Sequence, residues 1–105
     1  MHSKLVLVIA PDLEEQLVDL LLEQPDVSGF TCVLVQGNGN PGKMSLAEQV
    51  SGRRRRLRIE VVLPTVAVAA LLERLRGGLA PDTVYWIESV SGFGKLGELA
   101  GTGGV

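Results

Sequence analysis

Residues 53–63 read Arg-Arg-Arg-Arg-Leu-Arg-Ile-Glu-Val-Val-Leu. Leu57, Ile59, Val61 and Leu63 fall at every second position, with Arg54, Arg56, Arg58 and Glu60 between them. In an extended chain successive side chains point to opposite faces, so this alternation predicts a strand with one apolar face and one charged face. Such a strand belongs to a sheet that is covered on one side only.

Working outward, Thr65 is expected to cap a helix over Val66–Arg76. Val68, Leu71, Leu72 and Leu75 form its buried side, and Gly77-Gly78 stops it. Thr83–Val90 is a further strand carrying Tyr85 and Trp86. Upstream, residues 36–52 (Gln-Gly-Asn-Gly-Asn-Pro-Gly-Lys-Met-Ser-Leu-Ala-Glu-Gln-Val-Ser-Gly) are turn chemistry, with one helical turn expected at Ser45–Gln49. A loop this long in a small domain is usually functional or disordered. Phe30–Val35 precedes it as a strand, after a turn at Val27–Gly29. Before that, Asp12 is expected to cap a helix with Glu15 completing a capping box; Leu13, Leu17, Leu20 and Leu21 share one face, and Pro25 ends the helix by about Glu23. Lys4–Ala10 is the first strand. Its apolar run, Leu5–Ala10, is too short for a signal peptide or a membrane span.

The order is strand-helix-strand-strand-helix-strand. The fold class is therefore α+β: a ferredoxin-like βαββαβ unit, four antiparallel strands with two helices on one face. Residues 1–90 form the domain, and the glycine-rich residues 91–105 are expected to be a flexible tail. This fold serves many unrelated functions. The bare sheet face must be covered, which in so small an aliphatic chain points to self-association.

The chain has 105 residues, 46% of them apolar and only 4% aromatic, so the core is aliphatic. A net charge of −2 argues against wholesale nucleic-acid binding. The single cysteine, Cys32, allows no internal disulfide, fits a reducing cytoplasmic setting, and reads as a small core side chain. His2, the single histidine, sits at a terminus expected to fray. With one His and one Cys, neither a structural zinc site nor a His-dependent nucleophilic site can be assembled. No catalysis and no prosthetic group are expected.

Two segments stand out. Gly37-Asn38-Gly39-Asn40-Pro41-Gly42-Lys43 could present backbone N–H groups to an anion, although its spacing is not that of a P-loop. Its alternative reading is a plain flexible turn. Arg53–Arg56 with Arg58 place five of the ten basic residues in six positions, whereas residues 1–26 hold six of the twelve acids and one base, Lys4. Adjacent arginines repel, so an anionic partner is expected beside them. The alternative is a solvated strand end paired across the sheet with acids such as Glu88.

These loop and flank residues resemble the PII-like family of trimeric ferredoxin-like signalling proteins. Gly37-Asn38-Gly39 is similar to the Gly-Phe-Gly that opens the family's regulatory T-loop. Ala47-Glu48-Gln49-Val50-Ser51-Gly52 is similar to its Ala-Glu-Leu-Tyr-Arg-Gly, and Arg56–Val62 to its Lys-Val-Lys-Ile-Glu strand. Residues 13–30 and 45–53 further resemble a divergent subgroup associated with heavy-metal efflux pumps; other divergent members accompany bicarbonate transporters. The chain departs from the family in several places. Val50 stands where the modified tyrosine would be, Asn38 where the subgroup has a loop histidine, and Pro41-Gly42 where a Gln-Lys pair is usual. Gly77–Thr83 is a reduced phosphate loop, and Lys95–Glu98 is a weak match to the C-terminal motif.

The resemblance implies a cytoplasmic homotrimer that binds a small anionic effector between subunits: AMP, ADP or ATP first, bicarbonate as another candidate. It would signal through a loop at residues 36–55 to a membrane transporter or efflux pump. Gly37, Asn38, Gly39, Lys43, Arg53, Arg56 and Arg58 are the candidate residues on one wall, with Arg76, Gly77 and Gly78 of a neighbour on the other. Two alternatives stand beside this reading: a metal-responsive accessory of an efflux pump, and an acylphosphatase-like hydrolase holding phosphate with arginine.

Overall fold

The computed structural model describes residues 1–37 and 54–99, with the backbone alone at Arg54. Among these residues four strands, β1 (His2–Ile9), β2 (Phe30–Gly37), β3 (Arg54–Pro64) and β4 (Val84–Val90), and two α-helices, α1 (Glu14–Leu22) and α2 (Val68–Arg76), follow one another in the expected order β1-α1-β2-β3-α2-β4. All pairings are antiparallel, and the strand order is β2-β3-β1-β4. The expected loop and its helical turn at Ser45–Gln49 lie outside the described residues, as does the end of the glycine-rich tail.

The alternation in β3 determines which side is covered. Leu57, Ile59, Val61 and Leu63 meet Leu5, Leu7 and Ile9 of the neighbouring β1. Leu17 and Leu21 of α1 close over them with Val68, Leu71 and Leu75 of α2. Each such side chain contributes about 1.5–3 kcal/mol when fully buried. The buried strand residues come from the two central strands, so the core sits over β1 and β3.

Several local expectations are corrected. Asp12 does not cap α1. Pro11 starts a 3-10 turn, Pro11–Leu13, so the helix proper begins at Glu14 with Leu13 at the cap position and no side-chain cap bond. Glu14 and Glu15 instead complement the positive end of the helix dipole. Thr65 likewise lies in a 3-10 turn, Thr65–Ala67, and its hydroxyl pairs with Ser3 Oγ at 2.8 Å rather than capping α2. Cys32 is exposed, not core, because β2 is an outer strand beyond the cover of the helices. The N-terminus does not fray at His2, which lies in β1 opposite Pro64 and Val90 with its ring 5.1 Å from that of Phe93. Residues 91–99 are exposed and contain one 3-10 turn, Leu96–Glu98.

Candidate functional site

β2 and β3 converge at Gly37, which faces Arg54 across the ladder. These residues are the two roots of the segment that holds Asn38, Gly39, Lys43 and Arg53, all outside the described residues. Pleating places Arg56 and Arg58 on the uncovered sheet face, opposite Val35 and Val33. Arg56 Nη1 donates to the Arg55 carbonyl at 2.6 Å. Arg58 Nε lies 3.9 Å from Glu60 Oε2, too far for a hydrogen bond, and is shielded from solvent without an acceptor.

The same face carries a network across three strands that the sequence reading only touched. Lys4 Nζ on β1 sits 2.8 Å from Glu60 on β3 and 3.4 Å from Glu88 on β4. Trp86 Nε1 donates to Glu88 Oε2 at 2.7 Å. The Lys4 hydrogen bond holds Glu60 below the ordinary carboxylate range, and the Trp86 indole N–H, with Lys4, does the same for Glu88. Glu60 in turn raises Lys4 above the ordinary lysine value. Glu88 is therefore held by Lys4 and Trp86, and the carboxylate nearest Arg58 is Glu60. The signal was Lys4 itself, the single base of the first 26 residues. It became readable once β1 was known to lie between β3 and β4.

The second predicted cluster ends α2. Arg76 is 2.9 Å from Glu73 and largely exposed. The N–H groups of Gly77 and Gly78 reach back to the Glu73 and Leu75 carbonyls at 3.4 and 3.0 Å, so both close the helix. Gly78 is also packed against α1. A Cβ there would lie 2.9 Å from Leu20 Cδ1, and Gln16 donates to its carbonyl. Within one chain the two clusters are not brought together, because β2 and the β4 that follows Gly78 are opposite edges of the sheet.

Between α2 and β4 lies a cavity of about 440 Å³, a volume typical of small-molecule sites. Leu7, Leu72, Leu75, Leu79 and Tyr85 line it, with Glu73 and Arg76 among its polar residues. Its apolar wall was not foreseen, since it needs β1, α2 and β4 together. Among the described residues no group of three His, Cys, Asp or Glu side chains could hold a metal ion. Burial and the charge of Glu14 raise the Cys32 thiol above its ordinary value, which disfavours the reactive thiolate. No helix among the described residues is long and apolar enough to cross a membrane.

The architecture is that of known proteins. Arabidopsis thaliana PII, in a structure bound to citrate, superposes with a TM-score of 0.65 over 86% of this chain and 75% of that one. At 16% identity the likeness is one of fold, and the fold is PII-like. A crystal structure of a DUF3240 family protein from Shewanella baltica gives a TM-score of 0.75 at 26% identity, over 90% of this chain and 96% of that one. No curated protein matches the sequence. Residues 1–97 match the family described as "Protein of unknown function (DUF3240)", and the chain belongs to that family.

Proposed function

We propose that this chain is a PII-like regulatory protein that works by binding rather than turnover. It is a cytoplasmic homotrimer that takes a small anionic effector in clefts between subunits. The first choice of effector is an adenine nucleotide, with bicarbonate the second. The loop at residues 36–55 carries the signal to a partner such as the cytoplasmic face of a membrane transporter or efflux pump.

The observation that supports this most is the placement of Arg56 and Arg58. They lie on the uncovered face, at the root of the segment that begins after Gly37, and Arg58 Nε is shielded with no acceptor. A shielded donor without a partner costs free energy, and an oxyanion beside it would offset that cost with a charge-assisted bond. That the PII of Arabidopsis holds citrate supports the fit of this fold to a small polyvalent anion. On this reading Gly37, Asn38, Gly39, Lys43 and Arg53 complete one wall. Arg76, Gly77 and Gly78 of a neighbouring copy form the other, because the two clusters sit at opposite edges of one sheet.

Calorimetry of the purified protein with AMP, ADP, ATP and bicarbonate tests this. At least one ligand should bind with one site per chain, and Arg56→Ala or Arg58→Ala should weaken it by about tenfold or more, the loss of one charge-assisted hydrogen bond. Absence of heat with all four ligands overturns the reading. Steady hydrolysis of an acyl phosphate, abolished by an arginine substitution, would replace it with the hydrolase.

A further inference from the structure

Glu60 stands between two cations that compete for it. On the uncovered face its directly paired neighbours are Val6 on β1 and Thr31 on β2, and neither carries a charge. Lys4 approaches it diagonally from β1, where the lysine's own paired neighbours are Val62 and Glu88. Arg58 stands two residues back on β3 itself, flanked by Val8 and Val33. Residues two apart on a strand share a face, and a diagonal neighbour is within reach of a long side chain.

The two cations are served unequally. Lys4 Nζ is 2.8 Å from Glu60 Oε1, whereas Arg58 Nε is 3.9 Å from Glu60 Oε2. A hydrogen bond to Nε closes at about 2.7–3.2 Å, so the carboxylate stops short of Arg58 by less than its own width. Arg58 Nε is shielded and has no acceptor, which costs free energy. Without Lys4, the same carboxylate would gain by moving onto that donor, because a new charge-assisted bond would replace the lost one. Glu88 draws Lys4 the other way at 3.4 Å, but Glu88 is itself engaged by the Trp86 indole N–H at 2.7 Å.

We propose that Lys4 is a positioning residue for the anion site: it holds Glu60 off Arg58 and so keeps Arg58 open to an anionic effector. Glu60 is the internal competitor. Held by Lys4, it leaves the site open; released, it closes on Arg58 and takes the place of the effector's oxyanion. This rests on the reading that Arg58 receives an anion, and it adds a closed state made by the chain's own carboxylate.

Two measurements on the full chain test the two halves separately. The first needs no ligand. The Nε–H resonance of Arg58, identified by its loss in Arg58→Lys, is followed by heteronuclear NMR. Lys4→Met should move it downfield as the carboxylate closes on the donor, and adding Glu60→Gln should cancel most of that shift. No shift in Lys4→Met, or a shift that survives Glu60→Gln in full, overturns the proposal. Lys4→Gln takes the place of Lys4→Met if circular dichroism shows that the latter has lost its fold.

The second is calorimetry with AMP, ADP, ATP and bicarbonate. For each of these that the unsubstituted protein binds, Lys4→Met should weaken binding by about tenfold or more, the scale of one charge-assisted hydrogen bond. Lys4→Arg, which still holds Glu60, should bind as before. Loss of a positive charge would also weaken an anion, so the deciding comparison is between two double variants of equal charge. Lys4→Met with Glu60→Gln removes the competitor and should recover the affinity. Lys4→Met with Glu88→Gln keeps the competitor and should stay weak. Equal recovery in both overturns the proposal, because charge alone then accounts for the effect, and so does full affinity in Lys4→Met. If the unsubstituted protein binds none of the four, the anion reading falls, and the NMR shift alone decides whether Lys4 holds Glu60 off Arg58.

Discussion

Lys4 stands between two carboxylates, and the sign of its effect on stability follows from their shifts. Glu60 and Glu88 titrate below the ordinary carboxylate range in the folded chain. They therefore bind protons less readily folded than unfolded. Their contribution is fully present above the unfolded value and is lost as pH falls through it to the lower folded values. Urea midpoints should accordingly drop as pH decreases below about 5, and Glu60→Gln should flatten that drop. An unchanged acid slope in the variant would remove the network as its cause. The groups are partly exposed, so the effect is modest and should shrink at high salt. Leu17, fully buried on the inner face of α1, is a different case. Leu17→Ala should cost about 2–5 kcal/mol in urea unfolding through lost burial and a residual cavity. Gly29 has open space where a Cβ would stand and no positive φ, so Gly29→Ala should be neutral or stabilise by up to about 1 kcal/mol through the unfolded chain.

At the scale of elements, Ser3 and Thr65 tie the start of β1 to the turn that leads into α2. Ser3 is buried, so Ser3→Ala should cost about 1 kcal/mol, measured by denaturation, by leaving the Thr65 hydroxyl without its partner. That bond also explains what the sequence did not disclose. Thr65 has the residue type and position of a helix cap, but its partner lies 62 residues away, and only the folded sheet brings the two together. Local signals read well where the cause is local. The period of two in Leu57–Leu63 and the leucine spacing of α1 reflect contacts that a single element makes with the core, and the Gly77-Gly78 stop reflects the helix's own backbone bonds. They fail where strand order decides. Cys32 lies in an apolar run like that of β1, but β1 is central and β2 is an edge. The Lys4, Glu60 and Glu88 cluster likewise requires β1 to run between β3 and β4. Of the candidate site, Arg56 and Arg58 were legible from alternation. The glycine cluster after α2 was legible only as a helix stop.

For the whole molecule, the two central strands hold the core and the two outer strands do not, which sets an order of local stability. Hydrogen exchange should find the slowest amides in β1 and β3. The outward amides of β2 and β4 should exchange faster, and equal rates in all four strands would contradict this order. Among the described residues β4 is an outer strand paired with β1 alone, and it carries no proline or lysine, which has a further consequence should copies meet there. A contact that joins two unlike edges has no built-in stopping point: the same bonds close into a ring if the rotation between neighbours completes a circle, and otherwise run on without end. For any assembly that used these edges, substitutions that alter only the twist of β2 or β4, and touch no ligand, would decide between a closed ring and a filament.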